Sequence, residues 1–115
     1  MEVWLVPSLQ LGDRIVGLTS DPAANQALML RYAKRLQARL GIGFQVYVDD
    51  SRGYDLLNAP EYDTNTCWVL ASEVYAALTT SIFAHHHIIQ LADQAVILKA
   101  TADIEQQLKA PTTPN

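Results

Sequence analysis

The sequence predicts an α/β fold (or its α+β variant): a single domain with a mixed sheet of about five or six strands and helices packed on it. Three observations carry that expectation. Pro22 to Leu40 has the apolar spacing of one long amphipathic helix. EVWLV, FQVYV and CWVLA, short runs rich in β-branched and aromatic residues, stand on either side of it. Gly, Pro, Asn and Asp punctuate the chain between these runs, giving the order ββα-β-loop-βα-ββα.

The first two strands are Glu2 to Val6, stopped by Pro7-Ser8, and Arg14 to Thr19. Gly12-Asp13 between them suits the turn of a hairpin whose loop runs from Leu9 to Asp13. Asp21 is placed to accept from the free amides of the next helix's first turn, and Pro22 gives up a donor that lacks a partner there. Gly41 stops that helix, where a left-handed residue is wanted. At about 100° per residue, Met29, Tyr32, Ala33, Leu36 and Leu40 share one stripe, and Arg31, Lys34, Arg35 and Arg39 gather opposite them.

Phe44, Val46 and Val48 then alternate with Gln45, Tyr47 and Asp49, the two-residue period of a strand with one buried face. The polar stretch from Ser51 to Thr66 reads as a loop, pinned by Leu56 and Leu57 through one helical turn. Cys67 to Ala71 is continuously apolar, as in a strand covered on both faces. Ser72 is expected to cap a helix with Val74, Tyr75, Leu78 and Ile82 inward, ending near Ala84. His85 to Leu91 fits either an extension of that helix or a strand. Gln94 to Lys99, with Val96-Ile97-Leu98 at its centre, reads as a strand. Thr101 caps a last helix, Ala102 to Lys109, with Ile104 and Leu108 inward. Residues 1–109 thus make one globular domain, and 110–115, with two prolines, a flexible tail.

Half of the 115 residues are hydrophobic and 17% are charged, a composition that builds a core rather than a disordered chain. A net charge of −4 speaks against sequence-independent binding to nucleic acid. The single Cys67 leaves no internal disulfide, MEVWLVPSL has no basic leader, and no apolar run approaches the ~20 residues of a membrane span. The expectation is a cytoplasmic protein without a membrane partner.

The charge distribution is the least ordinary feature. Four of the eight bases sit on the long helix, which carries no acid, so the other residues hold 12 acids and four bases, −8 against +4. A stripe of Arg31, Lys34, Arg35 and Arg39 can dock on nucleic acid phosphate, on an acidic protein surface or on a second copy of the chain; it also suits a plain solvated face. Asp49 and Asp50 close a strand, where ligands of open α/β sheets collect; adjacent Asp residues are also ordinary turn formers. With Asp55, Glu61 and Asp63 they form an acidic loop rim.

Two local patterns resemble known families. Tyr47-Val48-Asp49-Asp50 resembles the Y-x-D-D signature of reverse transcriptases, in a chain too short for a polymerase palm with its fingers. Glu2 to Tyr75 resembles the nucleotide-binding half of family 2 glycosyltransferases, through VDDSRG after a strand and the Asn58-Ala59 pair. There Ala71-Ser72-Glu73 stands in place of the family's metal-holding D-x-D and supplies one carboxylate. That resemblance implies at most a nucleotide-binding relic.

Among chemistry-bearing residues, His85 and His87 would share one face of a strand, and with Asp49 they make a candidate set for a divalent metal. The His85–His87 triplet lacks the spaced-ligand pattern of zinc motifs, and structural histidines are the plainer reading. Cys67 opens an apolar strand, which suits an inert thiol. Gly41-Ile42-Gly43 lies between helix and strand, the reverse of a dinucleotide fingerprint. No G-x-S-x-G elbow is present. The expectation is a small non-enzymatic binding module without a cofactor, self-associating through a basic helix face and an acidic rim. The alternative is a metal- or nucleotide-dependent enzyme or ligand binder using Asp49, Asp50 and the histidines.

Overall fold

A computed structural model describes residues 1–60, 64–78 and 85–109. The chain forms one α/β domain with six strands, four parallel and two antiparallel, and helices packed on them. The parallel strands are β1 (Glu2–Val6), β4 (Gln45–Val48), β5 (Thr66–Ala71) and β6 (His87–Leu91), in the order β4-β1-β5-β6. The antiparallel pair is β2 (Ser8–Leu11) with β3 (Arg14–Gly17), so the two N-terminal strands foreseen are three. Pro7 lacks the N–H that would continue a ladder, and beyond it Ser8 to Leu11 turn away to pair with β3. Gly12, at φ +60°, supplies the left-handed residue of the turn. β1 is thereby free to pair in parallel with β4 on one side and β5 on the other.

Helix α1 (Pro22–Leu40) has the expected bounds. Asp21 Oδ1 accepts from the Ala23 amide at 3.0 Å, and Gly41 ends the helix at φ +82°. Its buried residues are the five of the apolar stripe together with Asn25. It packs along β4 and β1. On β4, an edge strand, Gln37 does what a further strand would do: its amide donates to Phe44 O and its carbonyl accepts from Val46 N, both at 2.8 Å.

Period-two alternation divides the sheet. Val3, Leu5, Cys67, Val69 and Ile89 share a face and are buried. On the other face Trp4 stacks on Tyr47 at 4.7 Å and meets Trp68 at 6.1 Å. β5, read as a central strand, is buried from Cys67 to Ala71.

Between β4 and β5 the loop carries α2 (Tyr54–Leu57), of which Leu56 is buried and Leu57 exposed. Helix α3 (Ser72–Ala77) follows β5. Ser72 is its first residue and not its cap; the Ser72 hydroxyl donates to Leu91 O at 3.3 Å. Leu78 is already extended, and the rest of the helix expected to Ala84 lies outside the described residues. Of the two options for residues 85–91, the strand forms, from His87.

Gln94 to Lys99 is not a strand. It lies in helix α4 (Asp93–Leu98), closed by Lys99 in the left-handed conformation at φ +54°. Only Val96 is buried, with Ile97 and Leu98 about two-thirds exposed. A three-residue apolar run is compatible with either element, and here just one of its members reaches the core. Helix α5 (Ala102–Lys109) buries Ile104 and Leu108 as expected, and Thr101 Oγ1 donates to Glu105 Oε2 at 2.8 Å. The Tyr32 hydroxyl donates to Ala100 O at 2.9 Å, tying α1 to the link between α4 and α5. The tail from residue 110 is outside the described residues.

Candidate functional site

Because β1 and β4 are parallel, α1 must start at the carboxyl edge of the sheet and run back to its amino edge. Arg31 therefore lies about 14 Å along the axis from Pro22 and Arg39 about 26 Å, at 1.5 Å per residue. All four cations of the stripe are exposed. Among the described residues one ion pair involves them, Arg39 Nε to Glu105 Oε2 at 3.7 Å, with Arg39 63% exposed.

Six of the ten described acids lie toward the other end, while Asp103 and Glu105 sit on α5, which packs on α1. Asp49 and Asp50 follow β4, Glu73 follows β5, Asp93 follows β6, Asp55 opens α2 and Asp21 precedes α1. Asp21 already lies about 14 Å from Arg31 along the helix, beyond the ~8–10 Å screening length of a physiological salt solution. The cationic stripe is therefore not neutralised by the carboxyl edge of its own molecule; among the described residues Glu105 of α5 meets it at Arg39.

Asp49 and Asp50, adjacent in sequence, part company. Asp49 does not continue the outward series of Gln45 and Tyr47; it is 1% exposed. Its Oδ1 accepts from Ser51 Oγ at 2.5 Å and its Oδ2 from the Gly53 amide at 3.0 Å. These bonds fold the following loop back over the strand end, so Asp49 is a turn former and not part of the rim. Asp50 is exposed. It helps to line a cleft of about 260 Å³ with Pro7, Ser8, Pro22, Ala23, Gln26, Asp49 and Arg52. The Arg52 guanidinium donates to Gln10 Oε1 at 3.2 Å. The cleft thus sets the exposed Asp50 in a concave surface beside Arg52 and the start of α1. Of the other rim residues Asp55 is exposed, while Glu61 and Asp63 lie outside the described residues.

The candidate metal set is not brought together. His87 opens β6 and pairs with Cys67, at the amino edge of the sheet. Asp49 lies beyond Val48, at the carboxyl edge and three strands away. Strand spacings put the two roughly 10 Å apart along the strands and roughly 14 Å across them. His85 precedes β6 and is on the histidine side as well. Cys67 is fully buried, and burial pushes its thiol up to about 12. That environment disfavours the thiolate a nucleophile needs.

Sequence reasoning passed over Asn25, a fully buried polar residue whose side chain makes four hydrogen bonds. It donates to Ser8 Oγ and Thr19 O and accepts from the amide and hydroxyl of Thr19. One signal was available: Asn25 falls on the apolar stripe of α1, where a polar residue must find partners. It also passed over Glu73 and Asp93 as a pair, since no local pattern links residues on separate strands.

Compared with protein-family models, with curated proteins and with solved structures, the chain matches none. Among the described residues, no helix is long and apolar enough to cross a membrane.

Proposed function

We propose that this chain is a non-enzymatic binding module that associates with acidic protein surfaces, in the first place a second copy of itself. The cationic stripe of α1 on one copy docks on the carboxyl edge of the next, with Asp50 in its cleft and Asp55 beside it as acceptors. One observation carries this reading. Arg31, Lys34 and Arg35 are exposed and without an acidic partner among the described residues, while exposed Asp21, Asp50 and Asp55 lie toward the opposite end of the same small body. Complementary surfaces that cannot meet within one molecule can meet between two. Since the two surfaces differ, the contact is head to tail, and copies can add to one another.

Sedimentation velocity tests the reading. Weight-average mass is expected to rise with concentration at ionic strength around 0.01 M, where charges act over ~30 Å, and to fall toward the monomer near 1 M, where they act over ~3 Å. The triple reversal Arg31→Glu, Lys34→Glu, Arg35→Glu is expected to remain monomeric in both. A wild-type monomer at every salt concentration, with no retention of an acidic protein on immobilised chain, contradicts the reading.

A further inference from the structure

The register of β5 and β6 pairs Ala71 with Leu91, and two residues later each strand has passed into a helix. Glu73 and Asp93 therefore occupy equivalent places at the carboxyl ends of neighbouring strands, in the first turns of α3 and α4. Glu73 Oε1 and Asp93 Oδ1 are both sealed from solvent, and neither has a donor among the described residues. Two ionised carboxylates in that position would leave one sealed oxygen of each without a donor, an arrangement that desolvation and like-charge repulsion both penalise. A single proton removes the conflict, because one carboxyl then donates to the other.

We infer that Glu73 and Asp93 share a proton and form a carboxyl latch between the β5–α3 and β6–α4 junctions, one that releases when the proton leaves to solvent. In keeping with that geometry, burial, the hydrogen bond with Asp93 and the Asp93 charge together hold the Glu73 carboxyl above its usual range, against the opposing effect of its own backbone amide. Among the described residues the surroundings offer no competing counter-ion. Of the elements packed on α3, β3 brings Arg14 at its turn end, and β5 and β6 bring Cys67 and His87 at their amino ends. α3 itself carries Tyr75, α4 is followed by Lys99, and α1, packed on α4, turns its cations to solvent. Among all these groups Asp93 alone acts electrostatically on Glu73. The latch sits on the carboxyl edge but does not depend on what docks there.

The sign follows from linkage. An acid whose proton is held more tightly folded than unfolded contributes stability at low pH, and that contribution is lost as pH rises through the raised value. Thermal unfolding of the full chain between pH 4 and pH 8 reads it directly. Wild type is expected to lose Tm toward pH 8, whereas Glu73→Gln, which keeps a neutral donor facing Asp93, holds a flatter profile and melts ~4 °C higher than wild type at pH 8 only. Asp93→Asn is expected to act the same way. Parallel pH profiles for wild type and both variants, whatever their offset, overturn the latch. Carboxyl-carbon NMR titration of the wild-type chain tests it without a variant. One Glu or Asp resonance titrating well above the ordinary carboxylate range supports the shared proton, and a full set within that range overturns it.

Discussion

Asn25 shows how much of this fold hangs on one side chain. It fixes α1 to Ser8 at the start of β2 and to Thr19 after β3, so the hairpin and the long helix are joined through it. Gly17 permits the close approach: a Cβ there would fall 2.5 Å from Asn25 Nδ2 and 2.6 Å from Pro7 O. Neither neighbour can retreat, one being held by hydrogen bonds and the other being backbone. Asn25→Ala leaves Ser8 and Thr19 groups unpaired in a buried setting and is expected to cost ~2–4 kcal/mol, while Gly17→Ala is expected to cost ~1–3 kcal/mol through the clash. Urea denaturation midpoints check both, and a loss under ~0.5 kcal/mol in either case, the range of ordinary surface changes, would contradict this account of the junction. Asp49 carries the opposite lesson. Its residue type and its place at a strand end are equally good for a ligand site and for a turn, and only the bonds to Ser51 and Gly53 decide for the turn.

At the scale of the element, α1 was legible because its signals are local and mutually consistent: a capping Asp, a Pro in the first turn, a stripe over about three turns and a glycine stop. β5 was legible because burial on both faces leaves a continuous apolar run. α4 was not, because Val96-Ile97-Leu98 carries the composition of a buried strand on a piece of chain that sits at the surface. The β2–β3 pairing was half legible. Its turn at Gly12-Asp13 could be read, but the role of Pro7 in freeing β1 for the parallel sheet depends on where β4 and β5 lie. The helix α4 makes a distinct prediction. Ile97→Ser and Leu98→Ser are each expected to shift stability by no more than ~0.5 kcal/mol, and Val96→Ala to cost ~2 kcal/mol. Comparable losses at all three positions would mean that the whole run is buried.

The whole molecule carries a cationic flank on α1 and, about 14 Å or more from it along that helix, a carboxyl edge with exposed Asp21, Asp50 and Asp55. The four bases could be assigned to one exposed face from sequence alone, since helical periodicity places them relative to the apolar stripe. The location of the acids could not, because Asp50, Glu73 and Asp93 reach one edge of the sheet only through the parallel sense of its strands. The same parallel sense carries His87 and Asp49 to opposite edges of the sheet. A head-to-tail contact between unlike surfaces has a consequence that a symmetric dimer lacks: two differently damaged copies retain one good contact between them. The most direct measurement mixes the Arg31→Glu, Lys34→Glu, Arg35→Glu variant with an Asp50→Lys, Asp55→Lys variant at low ionic strength. Each alone is predicted to sediment as a monomer, and the mixture as a 1:1 pair that grows no further. A mixture that stays monomeric while the wild-type chain associates would contradict the docking of the α1 stripe on the carboxyl edge.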